Sequence, residues 1–282
     1  MRAEDAQLWE HANQLLERDG ELELPWTQQA FDWLLRHLAQ PPARMLDVGC
    51  GPAVASCLFA QMSPATQVTG VDATPAFLRQ GAARVSRLGL SDRVHVLEGD
   101  LSEGLDVPAA DLVWAARVVH HLSDPVAGLV ELGRLTSPGG LLAVIEGGLP
   151  IRVLPGGYGV GRPGFMSRLE AVLSDHFIDA YDLPERVTSG TEDWPLLMAE
   201  ASLEHLASRS FLLDLPAPVE PWVRAYLLDK FAHLWDMVGP KLDPPDAEAL
   251  ARLTDPTDSL GIHQRLDLFV LAAHTVHLAT TH

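Results

Sequence analysis

The chain has 282 residues, of which 47% are hydrophobic and 21% charged, a balance typical of a folded globular protein rather than a disordered chain or a coiled coil. Its 38 acidic and 20 basic residues give a formal net charge of −18. Such a field repels phosphate backbones and anionic lipid, so it argues against nucleic acid or a membrane surface as a partner and favours a small molecule.

The cysteine content and the first residues exclude two further classes. Cys50 and Cys57 are too few for a disulfide framework, and no further cysteine joins them in a metal site. The first twenty residues contain several acidic side chains and no continuous apolar run, unlike a signal peptide or a membrane anchor. We therefore expect a cytoplasmic protein that holds no metal.

In chain order, residues 1–40 are predicted to form two amphipathic helices, the second being "TQQAFDWLLRHLAQ". Five short apolar runs follow: "RMLDVG", "QVTGVD", "VHVLEGD", "DLVWAAR" and "LLAVIEGG". Valine- and leucine-rich runs without alternation are typical of strands covered by helices on both faces. The connectors agree, since one helix begins at Pro75 with a C-cap at Gly89, and another begins at Pro125 after the N-cap Asp124.

The remaining segments complete the predicted sheet. Residues 193–214 indicate a helix and a sixth strand, and residues 265–279 a seventh. We therefore predict a single domain of the α/β class with a doubly wound, seven-stranded, mostly parallel sheet. Its predicted core is 42–149, 193–214 and 265–279, and its predicted helical cap segments, which would form the substrate side, are 1–40, 150–192 and 215–264.

The turn "DVGCGP" after the first strand allows a ligand to approach the main chain, because Gly49 and Gly51 lack the Cβ atoms that would block it. Pro52 is expected to begin the next helix. A dinucleotide fingerprint requires glycine three residues after Gly51, where Val54 stands. This departure disfavours a pyrophosphate ligand.

Acidic residues end the first three strands. Asp72 follows the second strand, where an acid can accept hydrogen bonds from both hydroxyls of a ribose. Asp47 and Asp100 occupy the corresponding places on the first and third strands. Each alone could be a cap or turn residue, but together they suit hydrogen-bond donors and positive charge rather than a phosphate chain. The pattern indicates a nucleoside ligand.

With these motifs, and with "DLVWAARVVHHLSDP" and "LTSPGGLLAVIEGG", the chain resembles the class I S-adenosylmethionine-dependent methyltransferases of the small-molecule, natural-product type. The resemblance implies that the glycine turn binds the methionine part of S-adenosylmethionine and that Asp47 meets its positive charge. It further implies that Asp72 binds the ribose, and Asp100, with the Leu101 backbone, the adenine. The other implied cofactor contacts are Ala73, Ala116 and Arg117. Ala53 stands where many members have a third glycine.

His120 and His121 follow the fourth strand, and Glu146 ends the fifth, its expected neighbour. A carboxylate there can orient an imidazole as a general base. Some natural-product O-methyltransferases are similar here. We therefore expect O-methylation of a small, largely apolar acceptor, with His120 as base, Glu146 orienting it and His121 assisting or structural. N- or C-methylation, a nucleotide-dependent oxidoreductase and a non-catalytic cofactor-binding protein remain alternatives, as does a homodimer.

Two other patterns carry less weight. "GVGRPG" at 159–164 has literal dinucleotide spacing, but Pro163 lacks the amide that a phosphate cradle would use. We interpret it as a mobile lid loop, with Tyr158 and Arg162 as candidate substrate contacts. His274 and His277 lie three apart in a predicted strand, so they face opposite ways and cannot share a metal.

Overall fold

A computed structural model describes residues 3–157, 159–181 and 193–281. The first nine elements, in order, are α1 Ala3–Leu35, β1 Arg44–Val48, α2 Val54–Met62, β2 Gln67–Asp72, α3 Pro75–Arg87, β3 Val94–Glu98, β4 Ala110–Ala116, α4 Pro125–Arg134 and β5 Thr136–Arg152. The next six are α5 Phe165–Tyr181, α6 Trp194–Glu200, β6 Leu203–Leu215, α7 Pro221–Val238, α8 Pro244–Thr254 and β7 Val270–Thr281. Short 3-10 turns lie at Leu101–Glu103, Val119–His121 and Gly239–Lys241.

The strands form one seven-stranded sheet in the order β3-β2-β1-β4-β5-β7-β6. Strand β1 is parallel to both β2 and β4, and β2–β3 and β4–β5 are parallel as well. Side-chain pairs Ser208–His277 and Ser210–Thr275 join β6 to β7 with numbers rising on one strand and falling on the other, as in antiparallel pairing. The predicted seven-stranded, mostly parallel α/β sheet is confirmed.

This order places the carboxyl ends of β1, β2, β4 and β5 along one edge of the sheet. Strand order reverses between β1 and β4, which is where open α/β sheets bind their ligands. The strand interiors are apolar and buried, with Val113, Leu142 and Val144 fully enclosed. The core thus holds the strand ends in fixed register.

Helix α1 is continuous, whereas the sequence suggested two helices. Pro25 lies inside it, where the missing amide normally weakens a helix. Leu22, Trp26 and Phe31 are each 2% exposed or less, and Phe31 packs against Phe59 and Trp114 with ring centroids 4.8 and 4.6 Å apart. Burial of this face stabilises the helix through the proline, because tertiary packing outweighs local propensity.

The helix caps that the sequence predicts at Asp124 and Gly89 are present in the structure. Asp124 caps α4 by accepting a hydrogen bond from the Ala127 amide at 3.1 Å, and Gly89 ends α3 with φ of 67°. Helix α2 begins at Val54, two residues later than Pro52, because Ala53 adopts a left-handed conformation with φ of 58°. The turn before α2 is therefore longer than expected.

The described residues fall into two compact units. The first lies within Met1–Gly148, Glu185–Phe211 and His274–His282, and the second within Leu149–Pro184 and Leu212–Ala273. The described part of α1 thus belongs to the unit that carries the glycine turn. In the described ranges, no helix combines the length and apolarity needed to cross a bilayer.

Candidate active site

The glycine turn connects β1 to α2 through three residues with positive φ: 69° at Gly49, 51° at Gly51 and 58° at Ala53. The amides of Gly49 and Cys50 donate to the Val71 carbonyl of β2 at 2.8 and 3.0 Å. A Cβ on Gly49 would lie 2.3 Å from Cγ2 of Val118, and one on Gly51 would lie 3.4 Å from Leu16 of α1. The turn is therefore fixed to β2 and tightly enclosed.

Asp72 holds this turn from the end of β2. Its Oδ2 accepts a hydrogen bond from the Gly51 amide at 2.9 Å, and its Oδ1 accepts one from the Thr74 amide at 2.8 Å. Asp72 is half-buried and the adjacent Ala73 is exposed. Each carboxylate oxygen has capacity for a further hydrogen bond, so the group can still accept from hydroxyl donors.

Asp47 differs from Asp72 because it is buried, with 2% of its surface exposed. Ser56 of α2 donates its hydroxyl to Asp47 Oδ2 at 2.5 Å. Burial raises the pKa of Asp47 to about 7. The structure thus gives Asp47 a partner within the protein, and its contact with a cationic ligand stays a prediction.

Asp100 is exposed and caps the 3-10 turn Leu101–Glu103. Its Oδ1 accepts from the amide and the hydroxyl of Ser102 at 2.8 and 2.7 Å. Leu101 is buried, with 7% exposed. These contacts give Asp100 the role of a turn cap, and adenine recognition by this pair stays a prediction.

Glu146 and His120 are in contact beside the end of β4. The sequence placed Glu146 at the end of the fifth strand, but β5 continues to Arg152, and Glu146 instead follows Ile145, the last β5 residue paired with β4. Glu146 is 4% exposed, and its Oε2 lies 2.8 Å from His120 Nδ1. Its Oε1 accepts from the amides of Val118, Val119 and His120 at 3.0, 2.9 and 3.4 Å. One carboxylate therefore fixes both the backbone of this histidine turn, residues 118–121, and the imidazole that it carries.

The partner of Nδ1 sets the proton position on His120. An ionised carboxylate only accepts hydrogen bonds, so Nδ1 carries a proton in this contact, and in the neutral ring Nε2 is the basic nitrogen. The ring of His121 lies against that of His120, with centroids 4.1 Å apart and an interplanar angle of 37°. Burial lowers the pKa of His121 to about 4, so this ring is neutral near pH 7.

Arg117 follows Ala116 at the end of β4, with φ of 57°. Its guanidinium makes a bidentate contact with Glu23 of α1, at 2.5 and 2.8 Å. Sequence reasoning missed Glu23, because nothing local links two residues 94 positions apart. Helix α1 thus contributes an acid to the end of β4.

Taken together, these groups fit the cofactor that the sequence suggested. Bare glycine backbone and the carboxylates of Asp72 and Asp100 suit an adenosyl group whose donors are hydroxyls and an amino group. The basic group at the strand end, Arg117, is already paired with Glu23, which disfavours a phosphate chain. The composition of the site therefore favours a cationic nucleoside over a dinucleotide.

The remaining candidate residues have the following partners. Arg162, in the second unit, pairs with Asp243 and Asp246. Tyr158 lies outside the described residues. His274 stacks on Trp26 at 4.4 Å, whereas His277 contacts Ser208 and the Glu146 carbonyl. Within the part of the chain that the structure describes, no three His, Cys, Asp or Glu side chains are grouped to hold a metal ion.

Comparison with known proteins finds a methyltransferase domain in this chain. A family model described as a methyltransferase domain matches residues 46–142. Trans-aconitate 2-methyltransferase of Methylobacterium radiotolerans is 34% identical over 118 residues, covering 42% of this chain and 43% of that protein. The enzyme of the same name from Methylobacterium nodulans is 27% identical over 232 residues, covering 80% of each chain.

Matches above 30% identity span less than half the length of the curated relatives concerned. A solved structure from Bacillus halodurans C-125 has the same fold, with a TM-score of 0.53 at 17% identity, covering 89% of this chain and 99% of that one. The glycine turn, Asp72 and Glu146 lie in or beside the matched segment. The matched methyltransferase domain and the shared fold together indicate a class I S-adenosylmethionine-dependent methyltransferase.

Proposed function

We propose that the protein transfers a methyl group from S-adenosylmethionine to the hydroxyl of a small, largely apolar acceptor in secondary metabolism. The observation that carries this proposal is the 2.8 Å contact between Glu146 Oε2 and His120 Nδ1, next to the point where the parallel pairing of β4 and β5 ends. An imidazole held in this way is oriented as a general base.

When bound, S-adenosylmethionine supplies a methyl group activated by a sulfonium, which becomes a neutral thioether after transfer. The protein binds the cofactor and the acceptor, orients them and removes the proton of the acceptor hydroxyl. Nε2 of His120 is proposed to take the hydroxyl proton while the acceptor oxygen forms its new bond to carbon. The ionised Glu146 stabilises the imidazolium that results, and releasing this proton to solvent restores the base.

Positioning is expected to contribute more than the base. Holding two reacting groups in a near-attack geometry can supply roughly 7–11 kcal/mol, whereas general-base catalysis typically supplies about 10²–10⁴-fold in rate. The cofactor contacts proposed for Gly49, Gly51, Asp72, Asp100 and Arg117 therefore matter most for rate. The histidine decides which acceptors are used.

A carboxylate acceptor is the second candidate, because relatives named trans-aconitate 2-methyltransferase match this chain. A carboxylate is already ionised and needs no base, so His120 would be dispensable for it. An amine nitrogen or an electron-rich ring carbon also needs less help from a base than a hydroxyl does, so N- or C-methylation would depend less on His120. The net charge of −18 disfavours a polyanionic acceptor, and the rigid dyad favours a hydroxyl.

The test replaces His120 with Ala and, separately, Glu146 with Gln. Labelled S-adenosylmethionine is first incubated with hydroxyl, amine and carboxylate acceptors to identify those that take the label. With a hydroxyl acceptor, His120→Ala should lower turnover by roughly 10²–10⁴-fold. His95→Ala, on the edge strand β3, is the control and should have no effect. Unchanged turnover of the true acceptor by His120→Ala would remove the base assignment.

Cofactor binding is tested separately by isothermal titration with S-adenosylhomocysteine and with NADH. We expect micromolar binding of the first and none of the second. The reverse result would support the oxidoreductase alternative, and binding without transfer to any acceptor would support a non-catalytic protein. The cytoplasmic location, the homodimer and the cap role of 1–40, 150–192 and 215–264 stay predictions.

A further inference from the structure

A chain of hydrogen-bonded side chains leads from β6 to the backbone of Glu146. His205 Nε2 lies 2.9 Å from Ser208 Oγ, which lies 2.8 Å from His277 Nδ1 on β7. His277 Nε2 in turn lies 3.3 Å from the carbonyl oxygen of Glu146. All four residues belong to the first compact unit. The proposed methyl transfer uses none of the outer three.

The last acceptor fixes the proton positions along this chain. A carbonyl only accepts, so His277 Nε2 carries a proton and donates it to Glu146. In a neutral ring His277 Nδ1 is then an acceptor, and the Ser208 hydroxyl donates to it. The Ser208 oxygen in turn accepts from Nε2 of His205. The bonds therefore all run in one direction, toward Glu146.

The surroundings of His277 favour this neutral form. His277 is 8% exposed, and the ring of Trp194 lies 5.7 Å from it with an interplanar angle of 30°. Burial lowers the pKa of His277, so the ring is uncharged near pH 7. Its tautomer is then set by Ser208, which supplies the proton that Nδ1 accepts.

Two glycines follow Glu146 within β5. Gly147 and Gly148 have φ of 70° and 125°, in the left-handed region where glycine is the least restricted residue. Strand β5 continues to Arg152, but its pairing with β4 ends at Ile145. The contact from β7 fixes the Glu146 peptide directly after this last pair.

We propose that the Ser208–His277 pair is a positioning device for Glu146. By fixing the Glu146 peptide it fixes the carboxylate that holds the histidine turn, and thereby the His120 imidazole. This inference rests on the proposed function, because it matters for catalysis only if His120 is the base. Neither residue touches the reacting atoms.

The chain offers a matched control for its test. Ser208 and Ser210 both lie on β6, both are exposed, and both pair with a β7 side chain, since Ser210 Oγ lies 2.9 Å from Thr275 Oγ1. The two serines differ in the next contact of their β7 partner, because His277, the partner of Ser208, contacts the Glu146 carbonyl. Ser208→Ala and Ser210→Ala each remove one hydroxyl that pairs with β7, Ser208→Ala also removes the contact with His205, and Ser208→Thr restores the hydroxyl.

Imidazole ¹⁵N NMR of the full chain bound to S-adenosylhomocysteine is the primary measurement. Ser208→Ala should move the ring nitrogen signals of both His277 and His120, whereas Ser210→Ala should leave them in place and Ser208→Thr should restore them. Turnover of the acceptor found with labelled cofactor should fall roughly three- to tenfold in kcat at unchanged KM, about the effect of one neutral hydrogen bond.

The outcomes separate this inference from the proposed function. If Ser208→Ala and Ser210→Ala gave the same spectra and the same kcat, the positioning device would be refuted, whatever His120→Ala does. If Ser208→Ala moved both signals while His120→Ala left turnover unchanged, the device would stand and the base assignment would fall. His277→Gln keeps an N–H donor and should retain more activity than His277→Phe, which has none. Equal loss of activity in these two variants would count against the positioning device.

Discussion

The glycine turn and the histidine turn are both held by a carboxylate from the next strand end. Asp72 accepts from the amides of Gly51 and Thr74, and Glu146 accepts from three amides of the histidine turn. Backbone amides at such turns lack partners within regular structure, so an acid from the neighbouring strand satisfies them. Both halves of the site, the glycine turn and the histidine turn, are thus held in the same way.

What differs is the use of the second oxygen. Both oxygens of Asp72 accept from backbone amides, and the residue stays half-buried beside the glycine turn. This arrangement suits a ligand that lies on the main chain. Glu146 is buried and gives its second oxygen to an imidazole, which suits aiming a side chain. The glycine half of the site therefore offers a backbone surface to a ligand, whereas the histidine half offers an imidazole side chain. The two halves meet where Gly49 faces Val118.

Breaking that junction should have the largest effect. In Gly49→Ala the new Cβ would lie 2.3 Å from Val118 Cγ2, at a backbone with φ of 69°. Left-handed strain and overpacking together should lower the free energy of unfolding by roughly 2–5 kcal/mol. We expect S-adenosylhomocysteine binding to be lost, as measured by isothermal titration.

Gly89→Ala is the matched control for this change. Gly89 has φ of 67°, but a Cβ there meets nothing within 4 Å. It should cost about 1–2 kcal/mol from strain alone and leave binding intact. Equal destabilisation and equal binding in the two variants would show that the contact between the halves is unimportant.

The second test concerns the buried acid of the glycine half. Burial raises the pKa of Asp47 from 3.8 to about 7, so between these values the folded chain holds a proton that the unfolded chain has lost. Its contribution to stability therefore falls as the pH rises through this window. Asp47→Asn removes the effect, so its stability relative to the original chain should rise between about pH 4 and 7, by at most about 4 kcal/mol.

Urea unfolding at several pH values measures this difference, and a difference independent of pH would contradict the burial of a titrating Asp47. The same residue tests the cofactor prediction. An ammonium group brought to Asp47 favours its ionised form, so S-adenosylhomocysteine binding near pH 7 should release protons. Titrations in two buffers of different ionisation enthalpy detect the release, which Asp47→Asn should abolish.

A smaller effect is expected at the contact of α1 with Arg117. Glu23→Gln weakens the bidentate pair, so the guanidinium is less well held and S-adenosylhomocysteine should bind roughly three- to tenfold more weakly, a loss of about 1 kcal/mol. Glu21→Gln is the control, because its partner Arg84 keeps Glu17 at 2.7 Å. Unchanged or tighter binding in Glu23→Gln would argue against Arg117 as a cofactor contact.

The smallest effect sharpens the description of the glycine turn. Ala53 has φ of 58°, a conformation that costs a residue with a Cβ about 1–2 kcal/mol. Ala53→Gly should therefore stabilise the chain by up to about 1 kcal/mol after the entropic cost of glycine. Ala55→Gly, inside α2, should instead destabilise it by a similar amount. Thermal unfolding compares the two, and destabilisation by both would contradict the left-handed turn.

The sequence predicted those features that local patterns encode. The strands, the caps at Asp124 and Gly89 and the acids at or near the ends of the first three strands depend on residues close in the chain. The 2.8 Å approach of His120 and Glu146 could be anticipated, because the two residues follow adjacent parallel runs, whose last pair is Ala116 with Ile145.

Features that depend on distant pairing could not be predicted in this way. The continuity of α1 through Pro25 comes from burial against Phe59 and Trp114, and Glu23 reaches Arg117 across 94 positions. The support of Glu146 by His277 likewise joins residues 131 apart. Periodicity carries no signal for contacts of this kind.

A crystal structure of the chain with S-adenosylhomocysteine tests the central claim most directly. We expect the ribose hydroxyls at the Asp72 carboxylate, the amino acid part against Gly49 and Gly51, and the sulfur facing the side of the site where His120 lies. Ligand bound away from the glycine turn, or with its sulfur turned away from the histidine turn, would contradict this account.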